Sequence, residues 1–139
     1  MNIEIKNISA KVDQKGSIAE LLTSADIKKH NNLFGHLFFV TFKNNQSIRG
    51  NHYHQKTHEY YILLSGKIRV MLFDVKSKKK KSITLLSNSN ITSWLRIGPN
   101  IAHACHSLSP KTVMLGYFSK AYNRGTDTVN HMLIKELKK

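Results

Sequence analysis

Acidic residues are scarce in this chain. Eight aspartates and glutamates stand against 22 lysines and arginines in 139 residues, a formal net charge of +14 with histidines neutral. Such an excess admits nucleic acid, an anionic membrane surface or small phosphorylated ligands as partners. Nucleic-acid binding would call for a known motif or a basic face interleaved with aromatics, and the sequence has neither. Much of the excess sits in Lys76–Lys81 and in the tail Lys135–Lys139, which read as solvated turn and tail. Cysteine is scarcer still. Cys105 stands alone, so no internal disulfide can form, which fits a reducing cytoplasm. No apolar run approaches the ~20 residues that a membrane span needs. Met1–Lys6 lacks the apolar stretch of a signal peptide. A cytoplasmic protein without membrane or nucleic-acid partner is expected.

What is present is apolar and β-branched. Hydrophobic residues make up 40% and are spread along the chain, enough for one domain over residues 1–139 with a sizeable core. Ile3 and Ile5 alternate with Glu4 and Lys6, as in a half-buried strand. Asp13-Gln14-Lys15-Gly16 is a turn signal. Ser17–Leu22 fits a short strand or a helical turn, and Ser24–Asn32 a loop or a single helical turn. Further strands are expected over 33–43, 48–54, 59–64, 67–75, 82–86, 93–97, 101–107 and 112–119. Tight turns are expected at Ser65-Gly66, Gly98-Pro99 and Ser109-Pro110, and a hairpin loop at Lys76–Lys81. Residues 132–137 fit a last strand or a short helix. Many short strands spaced near ten residues, with turn signals between, argue for an antiparallel sandwich or barrel. Val113, Leu115 and Tyr117 face one side of their strand while Met114 and Phe118 face the other. A strand apolar on both faces is buried on both, by a subunit interface or by an end loop.

The chemistry concentrates in Arg49-Gly50-Asn51-His52-Tyr53-His54-Gln55-Lys56-Thr57-His58-Glu59. On a strand, residues two apart share a face, so His52 and His54 project side by side, roughly 7 Å apart. Glu59 opens the next strand and can return its carboxylate to the same place. A second group, Gly98-Pro99-Asn100-Ile101-Ala102-His103-Ala104-Cys105-His106, follows about forty residues on. Together these imidazoles and the carboxylate can hold a divalent metal or move protons near neutral pH. His103 and His106 are three apart, so a regular strand separates them; a bulge after Pro99 would bring both inward. Cys105 reads as a small buried filler, and Trp94 as core.

The spacing His52-x-His54-x4-Glu59-x6-Gly66 resembles the first cupin motif, and Pro99-x3-His103 the core of the second. The resemblance implies an all-β double-stranded β-helix, or jelly roll. Ile48–Lys56 is similar to the RGxHxHxK segment of sugar-nucleotide 3,4-ketoisomerases, cupins that act on dTDP-4-keto-6-deoxyglucose. Gly98-Pro99, with His103, His106 and Ser109, is similar to a GPxxxHxxHxxS stretch of the same group. Asp13-x-x-Gly16 resembles the opening turn of dTDP-4-dehydrorhamnose 3,5-epimerases, whose RGxH histidine matches His52. Lys15 stands where that turn usually has arginine, Tyr60 replaces a glutamine, and His58 is an added imidazole. RGNHYH also occurs in a zinc-binding cupin.

The resemblance implies an isomerase or epimerase of a nucleoside-diphosphate 4-keto-6-deoxyhexose in surface polysaccharide (lipopolysaccharide) biosynthesis. It further implies a homodimer that needs no cofactor. His52 is then the base, and His54 the partner that carries a proton between neighbouring oxygen and carbon. Arg49 is the candidate for the diphosphate, or else a rim salt bridge, and Lys56 has the same two readings. Glu59 orients a histidine or binds metal. His103, His106 and Tyr117 are the remaining candidate substrate contacts. The alternative is one divalent ion on His52, His54, Glu59 and His103. A third is a non-catalytic cupin that binds a small ligand.

Overall fold

A computed structural model describes residues 1–29, 34–88, 90–120 and 127–135. Its organising element is a strand far longer than expected. The segments on either side of Ser65-Gly66 form one 16-residue strand, Glu59–Asp74, and not two strands joined by a turn. Gly66 allows this, with φ of 91°. A Cβ there would lie 2.6 Å from Ser109 Oγ and 2.7 Å from Thr112 Oγ1. The chain therefore bends at Gly66 and passes from one sheet into another without reversing.

In chain order the elements are β1 (Ile3–Ser9), β2 (Lys11–Asp13), β3 (Gly16–Ile18), α1 (Ser24–Lys28) and β4 (His36–Thr41). Then come β5 (Ile48–His54), β6 (Glu59–Asp74), β7 (Lys80–Ser87), β8 (Ile91–Ile97), β9 (Ile101–Ser107), β10 (Val113–Phe118) and β11 (Thr128–Asn130). The first half of β6 lies in a sheet ordered β1–β8–β6–β10–β4. Its second half lies in a sheet ordered β7–β6–β9–β5–β11. All these pairings are antiparallel, and the two sheets give the all-β jelly roll that the cupin spacing implies.

The main core includes Leu63, Ile68, Val70, Leu72, Leu95, Ile101 and Met114. A second apolar cluster holds Ile8, Tyr60, Ile62, Trp94 and Tyr117, and Leu21, Leu22 and Ile27 pack against it. Segment 19–28 thus packs over β10's second apolar face, as an end loop would. It includes α1, whose Thr23–Asp26 capping box satisfies its first amides and whose Asp26 is held by Lys6 at 2.7 Å.

Smaller differences have local causes. β4 starts at His36, and the expected Leu33 lies outside the described residues. Lys80 and Lys81 belong to β7 rather than to the loop, because they pair with Phe73 and Leu72. Among the described residues the last strand is β11, earlier than expected, since Thr128–Asn130 find β5's free edge. Of the expected 132–137 element, residues 132–135 are irregular and the others lie outside the described residues.

Candidate active site

A β-bulge arranges the site. Plain alternation along β5 would put Arg49 and His52 on opposite faces. Instead the register against β9 slips between Gly50 and His52, so Arg49 pairs with Cys105 and His52 with His103. Gly50 and Asn51 both have positive φ, 94° and 60°. At Gly50 a Cβ would meet the His103 carbonyl oxygen at 2.7 Å, so glycine is required. Asn51 is held by its side chain: Oδ1 accepts from Leu133 N at 2.9 Å and Ile134 N at 3.0 Å, and Nδ2 donates to Ile134 O at 2.9 Å. The extra residue turns Arg49, His52 and His54 to one side.

That side is a cavity of about 550 Å³ between β5 of one sheet and β4 and β10 of the other. Its polar wall carries Arg49, His52, His54, Glu59, Thr128 and Asn130, and its apolar wall Phe38, Met114, Gly116 and Phe118. His103 is fully buried behind the histidine pair, with ring centroids 4.8 Å from His52 and 5.9 Å from His54. One atom from each of His52, His54, Glu59 and His103 falls within 4.8 Å of the others.

Glu59 is the electrostatic centre. Its Oε2 lies 2.9 Å from His103 Nε2 and 3.4 Å from His54 Nε2. The first contact is an ion pair in which the ring is not aligned for a good hydrogen bond. Burial pulls the Glu59 pKa up, but the charge and contacts of His103 and His54 overcome this and hold it well below the usual carboxylate range. For His103, burial favours the neutral ring, yet Glu59 on one side and the Ile101 carbonyl at 3.0 Å on the other raise its pKa. His52 goes the opposite way. Burial first, then the neighbouring His103 charge, depress it to about 4, although Glu59 pulls the other way. At neutral pH His52 is therefore an uncharged imidazole, and its buried Nε2 has no protein partner. His54 is oriented from behind by Thr128 Oγ1, 3.2 Å from its Nδ1. Tyr61 lines the floor, and burial and then Glu59 push its phenol well above the ordinary value. Cys105 is fully buried and its thiol is raised by burial and Glu59, as befits a filler.

Five of the eight candidate residues come together: His52, His54, Glu59 and His103, with Arg49 at the mouth. Arg49 Nε donates to Thr41 O at 3.0 Å, and the guanidinium lies over the Phe42 ring at 5.7 Å. Three do not join them. His106 faces outward between Ile48 and Arg69, because the bulge is on β5 and β9 keeps its alternation. Tyr117 is buried in the outer apolar cluster, against Tyr60 and Phe34. Lys56 is exposed and off the cavity lining; its amide donates to Asp127 Oδ1 at 2.6 Å. Sequence reasoning missed Thr128 and Asn130, which no motif marks, and did not single out Tyr61 for the site. Tyr61 had a signal, being two residues from Glu59 on the same strand face.

A family model described as FdtA, WxcM-like, C-terminal matches residues 1–133. The chain belongs to that family. Among curated proteins no relative matches. Solved structures do resemble the FdtA, WxcM-like chain. One is a 3,4-ketoisomerase from Helicobacter canadensis: 26% identity, 91% of this chain and 90% of that one covered, TM-score 0.74. Another is a histidine-to-asparagine mutant of the 3,4-ketoisomerase QdtA from Thermoanaerobacterium thermosaccharolyticum in complex with TDP-4-keto-6-deoxyglucose. It shares 22% identity over 92% and 86% of the chains, TM-score 0.74. A third is the dTDP-4-dehydrorhamnose 3,5-epimerase of Bacillus anthracis, 15% identical over 91% and 77%, TM-score 0.77. These last two likenesses carry the fold.

Proposed function

We propose that this FdtA, WxcM-like protein isomerises a dTDP-4-keto-6-deoxyhexose by proton transfer through an enediolate. The observation that carries the reading is His52: an uncharged imidazole whose unpartnered Nε2 lies beside His54 in a cavity large enough for a sugar. The ketone acidifies the proton on C3. His52 takes that proton, and the C–H electrons form the C3–C4 double bond while the carbonyl pair moves onto O4. Proton return to C4, with the O3 proton passed to O4, leaves the ketone at C3. His54, steadied by Thr128, is the second proton carrier. Return to C3 from the other face would instead be epimerisation. The identity to a 3,4-ketoisomerase favours the first outcome. Arg49 at the mouth suits diphosphate oxygens.

The protein works without a cofactor in this reading, in the cytoplasm, feeding surface polysaccharide. It acts as a homodimer: Leu37 and Phe39 on β4 stay exposed, at 55% and 69%. The test is incubation with dTDP-4-keto-6-deoxyglucose in deuterated water. Deuterium appearing at the carbons beside the ketone, with formation of the 3-keto sugar, is expected. No exchange and no product would refute the reading.

One observation favours a second reading. The four converging donor atoms are the right types for a divalent ion, and His52, His54 and His103 Nε2 are all buried without hydrogen-bond partners. An ion there would be held by His52, His54, Glu59 and His103 and would polarise a substrate oxygen. Elemental analysis of protein purified without chelator decides: an ion at one per chain supports this reading, and its absence supports the first.

A further inference from the structure

Gly116 lines the cavity, and the fold does not explain its identity. It lies in the middle of β10, between Phe38 of β4 and Tyr61 of β6. Glycine weakens a strand interior, so a reason is expected. The backbone supplies none: among the described glycines, positive φ is confined to Gly16, Gly50 and Gly66. Packing supplies none either. A Cβ at Gly116 would meet only Phe38 Cβ, at an ordinary 3.8 Å. At Gly35, Gly50, Gly66 and Gly98, by contrast, a Cβ would come within 3.0 Å of another atom. The side of Gly116 that bears no atom opens into the cavity, on the sheet opposite His52 and Arg49.

The position also says which part of a ligand it meets. Tyr61, across from Gly116, is two residues from Glu59, and Phe118, two further along β10, pairs with Glu59 and sits 5.1 Å from the His54 ring. Gly116 therefore stands at the proton-moving end of the cavity. Around it Phe38, Met114 and Phe118 are apolar, matching the C–H face of a pyranose ring, whose oxygens would then turn to the polar wall.

We propose that Gly116 is a specificity-determining residue, its bare Cα forming the seat for the sugar ring of the nucleotide sugar. This rests on the function proposed above and adds the wall against which the sugar lies. A side chain at 116 takes up the space of the ring and leaves the nucleotide's contacts alone.

The test is a graded series, Gly116→Ala, Gly116→Val and Gly116→Leu. For each variant, melting temperature, affinity for dTDP, affinity for the unreactive dTDP-glucose, and kcat/KM on dTDP-4-keto-6-deoxyglucose are measured. Melting temperatures at or above wild type are expected, because the added Cβ has room. Affinity for dTDP should stay within twofold. Affinity for dTDP-glucose and kcat/KM should fall stepwise with size, by at least tenfold for Gly116→Val. If Gly116→Val keeps both within twofold, the proposal is overturned. It is equally overturned if dTDP affinity falls in parallel, since the residue then meets the nucleotide. Should the larger variants unfold, Gly116→Ala carries the test with a threefold loss expected. A wild-type protein that binds dTDP-glucose without turning over the keto sugar refutes the isomerase reading alone. The binding arm still decides on Gly116.

Discussion

Two buried polar clusters flank β6, and they are built on opposite plans. Tyr60 pairs with Arg96 and Glu59 with Ile97, so the two sites begin one residue apart. Arg96 is 3% exposed, and both its terminal nitrogens are answered by neighbours, Nη2 by Asn2 Oδ1 at 2.8 Å and Nη1 by His58 Nδ1 at 3.0 Å; only Nε lacks a hydrogen bond, with Glu4 at 3.7 Å. A guanidinium has no acceptor, so His58 Nδ1 accepts there. The His52–His54–Glu59–His103 cluster leaves all three Nε2 atoms without hydrogen bonds; those of His54 and His103 have only ion-pair contacts with Glu59, and that of His52 has none. Burying an unanswered polar atom costs about 1–3 kcal/mol, and a folding unit gains nothing from it. The first cluster is arranged to stabilise the fold, the second to receive something.

The largest effect that separates the two plans is on turnover. His52→Ala should lower deuterium exchange into the keto sugar by about 10²–10⁴-fold, the range for a general base, with little change in melting temperature. Exchange reduced less than about tenfold would remove His52 from that role. Arg96→Met should do the reverse. It breaks two charged hydrogen bonds and removes the contact with Glu4, which keeps Lys29 at 2.8 Å, for a loss of about 2–3 kcal/mol in urea unfolding. Exchange at a temperature where the variant remains folded should be near normal. An Arg96→Met protein that is stable but inactive would erase the distinction.

Next comes pH. The folded pKa of His52 is depressed to about 4 from its ordinary 6.5. Between these values the unfolded chain holds a proton that the folded one does not. Stability contributed by neutral His52 is therefore present above 6.5 and lost as pH falls toward about 4, with a slope of up to ~1.4 kcal/mol per pH unit. His103 has the opposite sign: its pKa is raised, so its contribution is full below the ordinary value and fades as pH rises through the raised one. Urea midpoints across acid pH should fall less steeply for His52→Ala than for wild type. Parallel curves would mean that the ring is not desolvated as the cavity requires.

The comparison also shows what a linear reading can reach. An antiparallel sandwich or barrel was legible from period-two alternation and turn spacing, and the resemblance to the two cupin motifs implied the jelly roll and the cluster of His52, His54, Glu59 and His103. What escaped depends on contacts between distant strands. Ser65-Gly66 looks like a turn in sequence, and only the packing of Ser109 and Thr112 against Gly66 shows that the strand continues through it. Thr128 reaches His54 because β11 adds to the edge of β5, a pairing over more than seventy residues. Arg49 was placed at the site by resemblance, against the alternation rule. The rule fails there because the bulge sits in β5, at Gly50-Asn51. Expecting it near Pro99 instead is what put His106 inside.

That bulge allows the finest test, because Asn51 contributes in two separable ways. Its backbone is left-handed at φ 60°, which glycine adopts freely and alanine only at about 1 kcal/mol. Its side chain makes three hydrogen bonds to residues 133–134, each worth about 0.5–1.5 kcal/mol net in general but shared here within one short segment. Asn51→Gly keeps the conformation and loses the bonds; Asn51→Ala loses both. Urea unfolding should place Asn51→Gly about 1 kcal/mol below wild type and Asn51→Ala about 1 kcal/mol lower again. KM should rise in the same order as Arg49 loses its fixed direction. If both variants are as stable as wild type, the bulge is set by Gly50 against the His103 carbonyl alone, and residues 133–134 are a cover for β5 rather than its brace.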